Sequence, residues 1–200
     1  IIGTYDMPTE CGTVFRKKMS SSQDSEIVNL LKNSGAIIMG KTATTELAYI
    51  HPCKTTNPHD YTRTPGGSSS GSAAVIASHM AHLSIGSQTA GSTIRPASYC
   101  GVVGYKPSYG LISRSGVLKV SDKLDTIGLF GKKVKDVALL AKCLIKKDLY
   151  DPATVYFSAE EMLEECDKGP LFEPKFIFYK TDKWKDINKK SQQALSLIHI

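Results

Sequence analysis

The stretch from residue 65 to residue 77 reads Pro65-Gly66-Gly67-Ser68-Ser69-Ser70-Gly71-Ser72-Ala73-Ala74-Val75-Ile76-Ala77. Its first half consists of glycines and serines, which favour a tight turn with many backbone N–H groups and hydroxyls in a small volume. Its second half is small and apolar, which predicts a buried helix from Ala73 to Met80. A flexible linker would share the Gly/Ser composition, but it would not be followed at once by a segment that needs burial.

Three kinds of functional site are compatible with such a turn before a helix. A phosphate-binding loop is disfavoured because no Gly-Lys-Ser/Thr ending follows Gly71. A nucleophile elbow of the G-x-S-x-G type fits residues 67–71, with Ser69 in the middle, but it needs a preceding strand and a later histidine. Residues 51–67 instead read as a proline-rich loop. The histidines that follow the turn are His79, His82 and His199. The third possibility is a serine network in which a lysine, rather than a histidine, is the base.

The rest of the chain alternates between predicted helices and strands, which indicates an α/β fold. Hydrophobic periodicity predicts helices over residues 22–34 and 133–146. Residues 87–97 are predicted to form a loop, and residues 46–49 a single helical turn. Short apolar runs predict strands over residues 36–39, 83–86, 102–105 and 176–179.

The composition is that of a globular chain rather than a disordered or membrane-spanning one. The 200 residues carry 25 Lys and Arg against 19 Asp and Glu, a net charge of +6, and 41% are hydrophobic. No run of about 20 apolar residues is present that could span a membrane. The basic residues are dispersed, whereas a nucleic-acid-binding protein would show a denser basic stripe. The five cysteines have no C-x-x-C spacing, which argues against a zinc site and favours a reducing compartment, the cytoplasm.

Five segments together resemble the amidase signature family of hydrolases. Residues 65–74 are similar to the family's G-G-S-S-x-G-S-A-A segment, and residues 86–98 resemble its second motif. The other matches are residues 40–48, similar to G-K-T-x-x-x-E-x-A, residues 100–110, similar to C-G-V-x-G-x-K-P-T-x-G, and residues 124–128, similar to L-D-x-x-G. The resemblance implies an α/β fold with a mixed β-sheet core flanked by helices, in a single domain longer than this chain.

The resemblance also implies which residues carry the chemistry. Ser92 occupies the position of the family's nucleophile. Ser68 occupies the position of a second serine, which follows a cis peptide bond and relays the proton. The backbone N–H groups that correspond to the oxyanion hole are those of Thr89, Ala90, Gly91 and Ser92. Each such donor typically contributes about 3 kcal/mol to transition-state binding. The implied reaction needs no metal and no organic cofactor.

The family's third catalytic residue, a lysine, is expected two residues before Ile1, because Met7-Pro8-Thr9 aligns with the family's M-P-T. Lys41 belongs to a different motif and is expected to be structural. Residues 1–194 are therefore predicted to be a partial amidase domain that lacks the lysine segment and the C-terminal part. Residues 195–200 are predicted to be a non-native tail.

Three departures from the commonest family pattern limit what the resemblance implies about the substrate. Gln88 stands where many members have Asp, Ala90 replaces a glycine, and Arg95 lies one place nearer Pro96. Cys100 closely follows the second motif and is expected to be a small buried residue rather than a nucleophile.

The main functional hypothesis is an amidase that cleaves a small-molecule carboxylic amide through a serine acyl-enzyme. The alternatives are an ammonia-releasing amidotransferase A-type subunit, which Gln88 and Ala90 disfavour, and a non-catalytic binding protein of the same fold. A homodimer is compatible with the sequence. Direct nucleic-acid binding and a membrane span are not expected.

Overall fold

The computed structural model describes residues 1–170, 172–173, 175 and 177–196. It divides into two units, residues 1–168 and residues 169–200. The helices of the first unit are α1 (Glu26–Asn33), α2 (Ser70–Ala77), α3 (Ile94–Cys100), α4 (Val134–Leu144) and α5 (Met162–Glu165). Its strands are β1 (Leu83–Gln88), β2 (Val103–Tyr105) and β3 (Thr126–Gly131), and single 3-10 turns cover Val14–Arg16 and Glu46–Ala48.

A three-stranded antiparallel sheet, in the order β1-β3-β2, lies at the centre of the first unit. The central strand β3 is buried along its whole length. It pairs with β1 so that Gln88 lies opposite Thr126, and with β2 so that Tyr105 lies opposite Leu129. The predicted α/β fold class is confirmed.

The two faces of β3 contribute to two different hydrophobic clusters. Successive residues of a strand point to opposite faces of a sheet. Ile127 and Leu129 accordingly pack in a cluster with residues of α1 and α4, whereas Phe130 packs in another with residues of α2 and α3. The sheet is therefore covered by helices on both faces. Helices α2 and α3, which begin within the segments 65–74 and 86–98, lie on the same face of the sheet.

Most of the predicted elements are present, with shifted ends. Helices α1 and α4 confirm the predictions over residues 22–34 and 133–146, and β1 and β2 confirm the strands predicted near residues 83–86 and 102–105. Helix α2 begins at Ser70, inside the serine run, and not at Ala73. In the described part of the chain, no helix has the length and apolar character needed to cross a membrane.

Three elements differ from the prediction. Residues 36–39 form no strand, and Ile37 and Met39 are exposed, because an apolar run becomes a buried strand only where another strand pairs with it. Part of the predicted loop over residues 87–97 is helical, since α3 accommodates Pro96 in its first turn, where a backbone N–H has no helical acceptor to lose. Strand β3 was not predicted.

In its described part, the second unit contains a 3-10 turn (Asp182–Asp186) and helix α6 (Lys189–Ser196). Trp184 contacts the ring of Phe178 edge-on, and the Lys180 ammonium lies 5.1 Å from the Trp184 ring centre. Of the strand predicted over residues 176–179, Phe176 lies outside the described residues, and residues 177–179 have no regular structure. Residues 195 and 196 of the predicted tail end α6, and residues 197–200 lie outside the described residues.

A buried ion pair joins the segment after β2 to the segment after α4. Arg114 is 3% exposed and Asp151 2% exposed. The guanidinium donates from Nε and Nη2 to the two carboxylate oxygens, each at 3.1 Å, and the Arg114 backbone N–H donates at 2.8 Å. Burial alone would raise the pKa of Asp151, but these hydrogen bonds from Arg114 outweigh it, so that this pKa lies below its ordinary value.

Replacing Asp151 with asparagine is expected to lower the free energy of unfolding by about 3 kcal/mol, because the Arg114 charge loses its buried partner and keeps only the exposed Asp122 carboxylate, 3.7 Å from Nη2. Urea unfolding at pH 7 measures the loss. The matched control is Glu160→Gln, which removes a surface partner of Lys142 and is expected to cost at most about 1 kcal/mol.

The same pair sets the sign of a pH effect. A carboxyl group with a depressed folded-state pKa stabilises the protein above its unfolded pKa of about 3.9, and this stabilisation is lost as the pH falls through the folded value. The difference in unfolding free energy between wild type and Asp151→Asn should therefore be constant from pH 7 to about pH 5 and narrow at lower pH. If this difference in unfolding free energy instead widened as the pH falls, the pKa of Asp151 would not be depressed in the folded protein.

Candidate active site

Ser68 is held at the turn that precedes α2. The Gly67–Ser68 peptide bond is cis, as the family resemblance implies. The Ser68 carbonyl oxygen accepts hydrogen bonds from the Thr45 N–H (3.1 Å) and the Thr44 hydroxyl (3.0 Å). The residue is 3% exposed. Its backbone is therefore fixed by Thr44 and Thr45, which directly precede the 3-10 turn at Glu46–Ala48, and this turn confirms the helical turn predicted over residues 46–49.

The other serines of the run use their hydroxyls to hold the fold together. Ser69 Oγ donates to the Ser87 carbonyl (3.1 Å) and accepts from the Ser87 N–H (3.2 Å). Ser70 Oγ donates to the Gly66 carbonyl, and Ser72 Oγ to the Ile85 carbonyl. The contacts of Ser69 and Ser72 connect the start of α2 to β1, and that of Ser70 closes the turn before the helix.

The contacts of Ser69 argue against a nucleophile elbow centred on it. Its hydroxyl is already bound as both donor and acceptor, and it is only 5% exposed. The residues before it, 61–68, form no strand, whereas the elbow requires one. In the described part of the chain, by contrast, no hydrogen-bond partner is found for the hydroxyls of Ser68 and Ser92.

Ser92 lies in the short connection between β1 and α3, and the side chain of Gln88 shapes this connection. Gln88 Oε1 accepts hydrogen bonds from the N–H groups of Thr93 (2.9 Å) and Ile94 (3.0 Å), which caps the start of α3. Gln88 Nε2 donates to the Ala90 carbonyl at 3.1 Å. A single amide group therefore closes the loop around Ser92, a role that sequence reasoning missed.

The two motifs meet through the backbone. The Ser69 N–H donates to the Ser92 carbonyl at 3.3 Å, so that the residue directly after Ser68 contacts Ser92 itself. The four N–H groups of residues 89–92, the predicted oxyanion-hole donors, have no hydrogen-bond acceptor among the described residues. The structure therefore brings the predicted site residues onto adjoining segments and leaves these donors unpaired.

Lys41 has contacts of a structural kind. Its ammonium donates to the Ile2 carbonyl and to the hydroxyls of Thr9 (3.0 Å) and Thr4 (3.2 Å), both of which are buried. Burial of the ammonium lowers the pKa of Lys41, an effect that the nearby Cys11 opposes. Among the described residues, no lysine hydrogen-bonds to Ser68 or Ser92. These contacts support the interpretation of Lys41 as an anchor for residues 2–9.

Cys100 is fully buried, and its thiol donates to the Pro65 carbonyl at 3.5 Å. Burial raises the pKa of the Cys100 thiol, which keeps it protonated and weakly nucleophilic. A histidine distant in sequence does approach it, since His59 Nε2 lies 2.8 Å from the Cys100 carbonyl oxygen, but this contact is to the backbone. The contacts support a packing role for Cys100.

Thr93, the residue that follows Ser92, packs so closely against β3 that position 128 must be a glycine. A Cβ atom at Gly128 would lie 1.9 Å from Thr93 Oγ1 and 2.6 Å from Thr93 Cγ2. Thr93 is 0% exposed and has no room to withdraw. The glycine of the L-D-T-I-G segment therefore allows the start of α3 to pack directly on the sheet.

Gly128→Ala is expected to lower the free energy of unfolding by about 3 kcal/mol and to displace the Ser92 loop. The matched control is Gly40→Ala, because a Cβ at Gly40 meets nothing within 4 Å, and its expected effect is within about 0.5 kcal/mol. Urea unfolding followed by circular dichroism compares the two. Equal losses of unfolding free energy in the two variants would show that the close approach of Thr93 does not determine the cost of a side chain at position 128.

The fold and the two contacting motifs are those of an amidase-signature protein. The chain belongs to the amidase family, whose model, described as Amidase, matches residues 1–198. It is 41% identical over 175 residues to the A subunit of glutamyl-tRNA(Gln) amidotransferase from Sulfurihydrogenibium sp., a match covering 84% of this chain and 36% of that protein. It is 36% identical over 205 residues to the protein of the same name from Thermotoga maritima, covering 98% of this chain and 43% of that protein.

Solved structures agree with this assignment. The crystal structure of the Thermotoga maritima protein aligns with a TM-score of 0.75 and 39% identity, over 78% of this chain and 36% of that one. The native peptide amidase from Stenotrophomonas maltophilia aligns with a TM-score of 0.77 and 29% identity, over 83% and 37%. The chain thus spans between 36% and 43% of the length of these relatives.

Proposed function

We propose that the protein hydrolyses a carboxylic amide through a covalent acyl intermediate on Ser92. The observation that carries this proposal is that, within the described residues, neither the Ser92 hydroxyl nor the four neighbouring N–H groups of residues 89–92 have a hydrogen-bond partner. Consecutive backbone N–H groups that converge on one point form an anion-binding site, which suits the charge that develops on a carbonyl oxygen under attack.

In acylation, Ser92 Oγ attacks the amide carbonyl carbon, and its proton passes to Ser68, whose own hydroxyl proton passes to a base. The carbonyl oxygen becomes negative and accepts hydrogen bonds from residues 89–92. As the C–N bond breaks, a proton returns through Ser68 to the nitrogen, and ammonia or an amine leaves. Water then attacks the ester by the same route and regenerates Ser92.

Ser92→Ala is expected to lower kcat by about 10³-fold or more and to abolish covalent labelling by a fluorophosphonate. Ser68→Ala should slow labelling because the proton relay is broken. Ser69→Ala should leave the labelled position unchanged, since that hydroxyl is bound to the Ser87 backbone, and Ser98→Ala is a surface control on α3. Labelling that survives Ser92→Ala but disappears in Ser69→Ala would overturn this assignment and favour the elbow.

We further propose that the base is a lysine two residues before Ile1 in the whole protein, and that residues 1–194 are part of a longer amidase domain. Two observations support this: the commitment of Lys41 to the segment around Thr4 and Thr9, and the coverage of no more than 43% of the curated relatives above. A lysine base must lose its proton before it can accept one, so burial and nearby donors have to lower its pKa.

The coding sequence upstream of Ile1 tests this prediction directly. If a lysine is present, its replacement by arginine should abolish amide hydrolysis, because arginine stays protonated, and the wild-type rate should rise with pH through the lysine pKa. Any other residue at that position would leave the two serines without this base and would favour the non-catalytic binding protein.

The second candidate function is an ammonia-releasing amidotransferase A-type subunit. The names and identities of the curated relatives favour it. Gln88 and Ala90 favour the independent amidase, since both depart from the commonest family pattern. Ammonia release from glutamine that depends on added partner proteins would support the amidotransferase, whereas release from simple amides by the protein alone would support the amidase.

We also propose a cytoplasmic location for the protein, which the five free cysteines support. The proposed partners are a small-molecule amide substrate and a second copy of the protein in a homodimer.

A further inference from the structure

The register of the sheet places a carboxylate beside the first residue of the proposed oxyanion segment. Gln88, the last residue of β1, lies opposite Thr126, the first residue of β3. Thr89 and Asp125 are the residues directly beyond this last pair, one after β1 and one before β3. The Thr89 hydroxyl donates to Asp125 Oδ1 at 2.5 Å, and Asp125 is 7% exposed. Side chains at adjoining positions of two antiparallel chain segments lie close enough to interact.

The second oxygen of the same carboxylate is bound to the loop before β3. Asp125 Oδ2 accepts hydrogen bonds from the N–H groups of Val120 (2.5 Å) and Ser121 (2.9 Å). Asp125 therefore ties Thr89 to a second, independent loop, and its hydrogen bonds do not reach Ser68 or Ser92.

Residues 90–92 are held through their carbonyl groups, because the Gln88 amide donates to Ala90, the Arg95 N–H to Gly91 and the Ser69 N–H to Ser92. They form no helix or strand, and the Gln88 amide fixes the Ala90 carbonyl and the start of α3. The Thr89 hydroxyl is the contact that fixes the first residue of the segment. Backbone donors stabilise an oxyanion only when their directions are set before the reaction, so a contact that fixes the segment matters to the rate.

We infer that Asp125 is a positioning residue, which holds the Thr89 hydroxyl so that the N–H groups of residues 89–92 point at the reacting carbonyl oxygen. This inference rests on the proposed function. It differs from a direct electrostatic role, because a carboxylate close to an oxyanion would disfavour the transition state. The two roles predict opposite signs: neutralising Asp125 slows a reaction that depends on positioning and accelerates one that the negative charge opposes.

The experiment uses the full-length protein and a biotinylated fluorophosphonate, which requires no knowledge of the natural amide. Ser92 Oγ attacks phosphorus, the P–F bond breaks, fluoride leaves, and the serine proton passes to the base. The phosphoryl oxygen occupies the position of the amide oxyanion, so the labelling rate reports on the donors of residues 89–92. The variants are Asp125→Asn, Thr89→Val and the double variant, with Thr89→Ser as the conservative variant that keeps the hydroxyl and Ser98→Ala, an exposed position on α3, as the control.

Each single variant is expected to label Ser92 about 10- to 100-fold more slowly than wild type, an effect smaller than the complete loss of an oxyanion donor. The double variant should be no slower than the slower single variant, because both changes break one contact. Thr89→Ser should recover most of the rate that Thr89→Val loses, since it retains the hydroxyl donor, and Ser98→Ala should label at the wild-type rate. A purely structural role would lower the final labelled fraction and the unfolding temperature without changing the labelling rate of the folded protein.

Several results would overturn the inference. An Asp125→Asn rate equal to or above wild type would exclude positioning, and multiplicative effects in the double variant would show that the two residues act independently. Thr89→Val guards against misfolding of Asp125→Asn, since it preserves the carboxylate and its two backbone donors. Absence of label on Ser92 in the wild-type protein would instead overturn the proposed function, and the inference with it.

Discussion

The antiparallel pairing of β1 with β3 is the constraint on which the candidate site depends. Strand β1 supplies the backbone groups that bind Ser69 and ends at Gln88, whose amide shapes the loop of Ser92. The two strands can be approached this closely because Gly86 and Gly128 lack side chains where Ser69 and Thr93 press against the sheet. A one-residue slip of the register would turn every side chain to the opposite face and separate these contacts.

The serine run illustrates how one residue type can serve two purposes. A hydroxyl that donates to a backbone carbonyl stabilises a turn, and three of the serines do so. The same bond commits the hydroxyl proton to a backbone carbonyl, which is too weak a base to remove it, so the oxygen is not activated for nucleophilic attack. The hydroxyls of Ser68 and Ser92 lack such partners among the described residues. Chemical identity alone does not separate the two groups, whereas the hydrogen bonds that each hydroxyl makes do.

Local patterns predicted the elements whose stability is local. The amphipathic periodicity of residues 133–146 identified α4, and the small apolar residues after the Gly/Ser turn identified α2. The strand predicted over residues 36–39 is absent because an apolar run is buried as a strand only when another part of the chain pairs with it. Strand β3 was missed because its glycines are required by tertiary contacts, such as that between Gly128 and Thr93, and interrupt a recognisable strand pattern. The family resemblance proposed the site residues, but the roles of Gln88 and Asp125 emerge only from the paired strands.

The presence of glutamine at position 88 follows from the balance of charge and hydrogen bonding around Ser92. The side chain must accept hydrogen bonds from the start of α3 and also donate to the Ala90 carbonyl. An aspartate could not supply the bond to the Ala90 carbonyl, since an ionised carboxylate has no proton to donate. An aspartate would also add a second negative charge, besides Asp125, next to a segment proposed to bind an oxyanion. The neutral amide thus closes the loop more completely and at a lower electrostatic cost to a negatively charged transition state.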